Sequence, residues 1–122
     1  MTDPIKELVS KIICCIRAAR LDLSDEKATQ RDLAEMFTQE RIFFAREVRL
    51  SRADIIDFMI QGIGIEVKLQ GAVKTAVHRQ LVRYAKHDNI KCLILVSNLS
   101  MGLPQQIEGK DVYFVSAAEG WL

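Results

Sequence analysis

Residues 57–68 read Asp-Phe-Met-Ile-Gln-Gly-Ile-Gly-Ile-Glu-Val-Lys, two short apolar runs around a Gln61-Gly62 pair. A glycine at the second central position of a tight turn makes a β-hairpin the natural reading. Counting outward from that turn sets Ile60 against Ile63, Met59 against Gly64, Phe58 against Ile65 and Asp57 against Glu66. Side chains alternate along a strand, so Lys68 shares the face of Glu66 and Val67 does not. Three charged groups thus converge on one face of an apolar hairpin. Adjacent carboxylates repel, which costs stability unless a cation lies between them.

The chain has 122 residues, enough for one domain with one core. Its 49% hydrophobic content is above what a disordered chain carries, so a folded domain over 1–122 is expected. A net charge of +1 gives no global sign of a nucleic-acid binder, so any basic surface must be local. Cys14, Cys15 and Cys92 form neither a disulfide framework nor a zinc motif. They read as small hydrophobes in a reducing compartment. No apolar run is long enough to span a bilayer, and no cleavage site follows the 12–16 apolar stretch. The expectation is a soluble cytoplasmic protein with no membrane partner.

Apolar residues recur with helical spacing at Ile5, Leu8, Val9, Ile12, Ile13, Ile16 and Ala19. Ser24 is the expected N-cap of a second helix, with Asp25 and Glu26 in its first turn and an end near Gln39. Residues 42–50 favour a strand, and the hairpin follows over 55–60 and 63–69. Helical spacing returns over 74–87 at Val77, Leu81, Tyr84 and Ala85. Residues 92–96 read as a buried central strand, 98–110 as mostly loop and 112–115 as a last strand. Three successive strands suit an antiparallel meander. The 74–87 helix then provides the crossover that lays the next strand parallel to a neighbour. The expected class is α/β, a mixed sheet flanked by helices.

Asp57 and Glu66 are hard oxygen ligands that suit magnesium or manganese better than zinc. Lys68 can hold a water or offset charge on a phosphate. A lone Glu-x-Lys is commonly a cross-strand ion pair, but Asp opposite Glu is less easily explained that way. The Asp…Glu-x-Lys hairpin, with the order of elements over residues 26–96, resembles the PD-(D/E)XK nuclease superfamily. The resemblance implies a restriction-endonuclease-like αβββαβ core with an extra N-terminal helix. It also implies one or two Mg2+ or Mn2+ ions held by Asp57, Glu66 and the Val67 carbonyl, with Lys68 assisting water attack. Gln80-Leu-Val-Arg-Tyr84 is similar to the Q-x-x-x-Y motif of RecB-type nuclease domains, and i, i+4 spacing lets Gln80 and Tyr84 face one site. Alternatively, Tyr84 is core and Gln80 rim. Glu26 matches the helix glutamate that completes the metal shell in many members, or else it serves the helix dipole; Glu35, Glu40 and Glu47 compete for the role.

Ile56 stands where the family's proline precedes the aspartate. Asp54 is a second candidate carboxylate. In a regular strand it lies on the opposite face, so a turn or an ion pair with Arg52 is its expected part. Lys74, Arg79, Arg83 and Lys86 form the expected nucleic-acid-binding stripe on the 74–87 helix, though such stripes are often only solvated faces. His78 and His87 are too far apart in sequence to share a metal on one helical face. The expected function is a metal-dependent DNA nuclease, probing DNA structure or ends in repair, recombination or phage defence. A homodimer and a helicase or other DNA-processing partner are expected with it. The alternatives are a non-catalytic scaffold of the same fold and a nuclease acting on RNA.

Overall fold

The computed structural model describes residues 3–122. Helix α1 (Pro4–Ala18) is followed by α2 (Glu26–Gln39), then strands β1 (Ala45–Arg49), β2 (Ile55–Ile60) and β3 (Ile63–Lys68). Helix α3 (Lys74–Ala85) leads to β4 (Cys92–Ser97), β5 (Gln106–Ile107) and β6 (Lys110–Ser116), and Glu119–Trp121 closes the chain as a 3-10 turn. The strands form one six-stranded sheet in the order β1-β2-β3-β4-β6-β5. The β1–β2–β3 meander is antiparallel, whereas β4 runs parallel to both β3 and β6. The expected α/β class and parallel crossover are therefore present.

The central hairpin forms in the register counted from the sequence, with Ile60 opposite Ile63 and Phe58 opposite Ile65. Both turn residues have left-handed backbones, φ 49° at Gln61 and 86° at Gly62, the geometry that matches strand twist in a two-residue hairpin. Two cores cover the sheet. Val9, Ile12 and Ile16 of α1 join Leu33 and Phe37 of α2 against Phe58, Ile60, Ile65, Val67, Ile94 and Val96. On the other face, Val77, Leu81 and Tyr84 of α3 pack on Ile56, Leu93 and Leu95. The apolar stripe of α1 thus covers the sheet. No helix among the described residues is long and apolar enough to cross a membrane.

Strand β2 breaks its own alternation. Ile56 and Phe58 should share a face, yet Phe58 packs under α1 and α2 and Ile56 under α3. Their partners in β1 follow suit: the Arg46 guanidinium lies over the Phe58 ring, and Val48 packs with Ile56. Between these pairs Glu47 has φ 50°, a left-handed backbone that a glutamate seldom adopts. The Glu47–Asp57 position is thus where the meander exchanges faces, as a bulge would.

Other boundaries differ for local reasons. Asp25, not Ser24, caps α2 by accepting the Ala28 N–H at 2.8 Å, while the Ser24 N–H goes to Asp22. Strand β1 is shorter than 42–50 because the Ile42 N–H closes the end of α2 on the Phe37 carbonyl. The 98–110 segment contains β5, joined to β6 by a tight turn with φ 53° at Glu108 and 75° at Gly109.

Gly64 marks the tightest point of the α3-side core. A Cβ there would lie 2.6 Å from Ile56 Cδ1 and 3.0 Å from both Ile90 Cδ1 and Leu93 Cδ2. Gly64→Ala should destabilise the fold by about 1–2 kcal/mol through overpacking. Urea unfolding tests this, and an unchanged midpoint would show that those side chains can yield.

Candidate functional site

The β2–β3 ladder ends at Phe58–Ile65. Strand β3 keeps its pairing with β4 as far as Lys68–Ser97, while β2 changes face at Asp57. Side chains bridge the resulting gap. Asp57 Oδ2 accepts the Val67 N–H at 2.8 Å, and the Asp57 N–H donates to Glu66 Oε1 at 3.2 Å. Each carboxylate thus satisfies a backbone donor of the facing strand, and the two are held together at the sheet's centre.

Glu66 is buried, with Lys68 Nζ 3.3 Å from its Oε2. The Tyr84 hydroxyl lies 3.2 Å from the same oxygen and 2.8 Å from the Ile55 carbonyl, and it accepts a hydrogen bond from Gln80 Nε2 at 2.7 Å. A phenol has a single proton to donate. That proton is shared between the nearer Ile55 carbonyl and Glu66 Oε2. Burial first, and the charge of Asp57 second, push the Glu66 carboxyl up to about 8 despite the opposing pull of Lys68. Burial also raises Asp57, with Glu26 adding to the rise, while the Val67 N–H and Lys68 act the other way. Tyr84 is raised as well, by burial and by the charge of Glu66. The two readings of Tyr84 merge: it is fully buried, and it fixes a site carboxylate.

Glu26 sits at the start of α2, where its Oε2 accepts the Leu69 N–H at 3.3 Å. It lines a groove of about 440 Å³ together with Lys68, Gln80, Arg79 and Arg83. The structure therefore gathers Asp57, Glu66, Lys68, Glu26, Gln80 and Tyr84 around one end of β3. Among the described residues, no three of His, Cys, Asp or Glu stand close enough to ligate one ion. What exists is a carboxylate pair with Glu26 to one side. Glu47 instead pairs with Lys27 at 2.9 Å, and Glu35 and Glu40 line a separate cleft between α1 and α2.

The basic stripe divides. Arg79 and Arg83 line the groove, Lys74 borders a separate depression with His78, and Lys86 is exposed at the end of α3. Asp54 does sit in a turn, with its N–H on Ser51 Oγ at 3.2 Å, but its face and its ion partner need correcting. It is buried on the α3 side, and its partners are Arg83 at 3.0 Å and His87 at 3.3 Å rather than Arg52. The face change at Asp57 is the reason, since counting along a regular strand puts Asp54 on the wrong side. Burial works to raise its carboxyl, but the bonds from Arg83 and His87 outweigh this and hold it low. The i, i+4 spacing of Arg83 and His87 was the available signal.

Compared with family models, curated proteins and solved structures, the chain matches none.

The native state keeps Glu66 protonated where the unfolded chain, with an ordinary carboxyl near 4.3, does not. Native protein then binds more protons, so stability falls as pH rises from about 4.5 to about 8. In EDTA the Tm should drop by roughly 10 °C between pH 5.5 and 8, a loss on the order of 3 kcal/mol. Glu66→Gln should remove most of that drop. An equal drop in the variant would assign it to another group.

Proposed function

We propose that the chain is a divalent-metal-dependent deoxyribonuclease of the PD-(D/E)XK type, with a restriction-endonuclease-like core. One observation carries the reading: Asp57 and Glu66 face each other where the β2–β3 ladder ends, and Lys68 stands 3.3 Å from Glu66. Burying two carboxylates side by side is costly, and a cation offsets that cost. The donor set fits magnesium or manganese. Magnesium keeps several waters and needs only one or two carboxylates, so a pair without a third close ligand suffices.

Asp57, Glu66 and the Val67 carbonyl would hold one or two ions, and Glu26 would reach them through water. Bound there, a divalent ion supplies charge against the phosphate oxygens and lowers the pKa of water. The chain's own groups do the rest. Tyr84 and Gln80 fix the Glu66 carboxyl. Lys68 Nζ orients a water and offsets charge on the phosphate in flight. Arg79 and Arg83 hold flanking phosphates along the groove without reading bases. Contacts to phosphates rather than bases suit recognition of DNA structure or ends, as a homodimer or beside a helicase or other DNA-processing protein.

With magnesium or manganese, wild-type protein should cut at least one of single-stranded, duplex, flapped or four-way DNA. EDTA should stop it. Asp57→Asn and Lys68→Ala should each lower the rate at least about 100-fold with the fold intact by circular dichroism. Glu26→Ala should cost less. If no DNA is cut, and DNA binding is unchanged by Asp57→Asn, the domain is a binding module instead; if only RNA is cut, the substrate assignment is wrong.

A further inference from the structure

The buried acid that the carboxylate pair does not use is Asp54. Its backbone is fixed on all sides: the carbonyl accepts the Leu50 N–H at 2.8 Å and the Ser51 N–H at 3.3 Å, and its own N–H goes to Ser51 Oγ at 3.2 Å. Only 5% of the residue is exposed. From this rigid turn Oδ1 meets Arg83 Nε at 3.0 Å, and Oδ2 faces His87 Nε2 at 3.3 Å. Arg83 lies in the last turn of α3 and His87 just past its Lys86 C-cap, so one carboxylate ties the helix end to the residue that leaves it.

Arg83 meets Asp54 through Nε, and its two Nη groups make no hydrogen bond to the described residues. Its side chain is half-exposed and forms part of the groove wall with Lys68, Arg79 and Gln80. A guanidinium is a flat fork of five donors. Gripped at Nε, it keeps both Nη groups for an anion, in a plane that the buried carboxylate dictates. Arginine carries a large rotamer entropy, and fixing it before binding removes that cost from association. An ion pair with one half-exposed partner adds little stability, so stability alone is a weak reason for this one.

We propose that Asp54 is a positioning residue that presents Arg83 as a bidentate clamp for a backbone phosphate of the nucleic-acid strand in the groove. This rests on the nuclease reading and extends it: the strand runs past Arg83 along α3, on the side of Glu66 that Tyr84 and Gln80 occupy. Asp54, passed over as a metal ligand, serves the same site from behind its substrate wall. His87 shares the carboxylate, leaving Arg83 a single bond to it and its outer edge free.

The test is a double-mutant cycle on binding of fluorescent duplex DNA in EDTA, across a salt series. Arg83→Ala should weaken binding about tenfold at low salt and reduce the log–log salt slope by about 0.9, one phosphate contact. Arg83→Lys should keep most of the slope but not the affinity. Asp54→Asn leaves every charge on Arg83, so it should weaken binding roughly three- to tenfold with little change in slope. In the Arg83→Ala background, Asp54→Asn should change affinity less than about twofold. A purely structural pair would instead lower the Tm of both variants and leave affinity and slope unchanged, which overturns the proposal. Additive effects of the two substitutions overturn the positioning role alone. Failure of wild-type protein to bind any DNA overturns the nuclease reading and this proposal together. Cleavage that is insensitive to Arg83→Ala overturns only the clamp.

Discussion

Everything about the site follows from the crossed bonding of Asp57 and Glu66, in which each acid engages the other's strand where the ladder has run out. A continued ladder would have paired those backbone groups with each other and left the two carboxylates without them. Because β2 changes face at Asp57, the ladder stops one residue early and the acids take its place. The neighbouring parts then fall into position. Tyr84 of α3 can reach Glu66, Glu26 of α2 can reach the end of β3, and Lys68 lies alongside.

The electrostatics of this centre are poised. Burial and mutual repulsion work against two negative charges, and one lysine is too little to hold both. Glu66 therefore holds its proton to higher pH than an ordinary carboxyl does. On the proposed function, a cation would compete with that proton for the same oxygens.

Much of the fold was legible because its signals are local. The Gln61-Gly62 turn fixed the hairpin, and the 3.6-residue spacing of Val77, Leu81 and Tyr84 placed α3. The carboxylate pair followed from counting residues away from the turn. The position of Asp54 was not legible, because the count assumed that alternation holds through Asp57. Nothing in the sequence around Glu47 signals a left-handed backbone, since no glycine or asparagine stands there. Asp25 took the cap from Ser24 for a similar reason: both residue types serve equally well, and only the path of the chain after Leu23 decides. The short β5 strand was invisible because its pairing is set by Glu108-Gly109, a turn read as loop.

The Glu47 backbone also affects the rim of the sheet. Strand β1 is an open edge, and a straight edge offers its free amides and carbonyls to any passing strand. A left-handed residue in its middle interrupts that row, and Arg46 and Arg49 add charge on either side. At the opposite rim the two-residue β5 covers only the start of β6. The β1 rim is thus guarded against growing by annexation of another chain. The distortion that brings the acids together also helps keep the domain from aggregating through that edge.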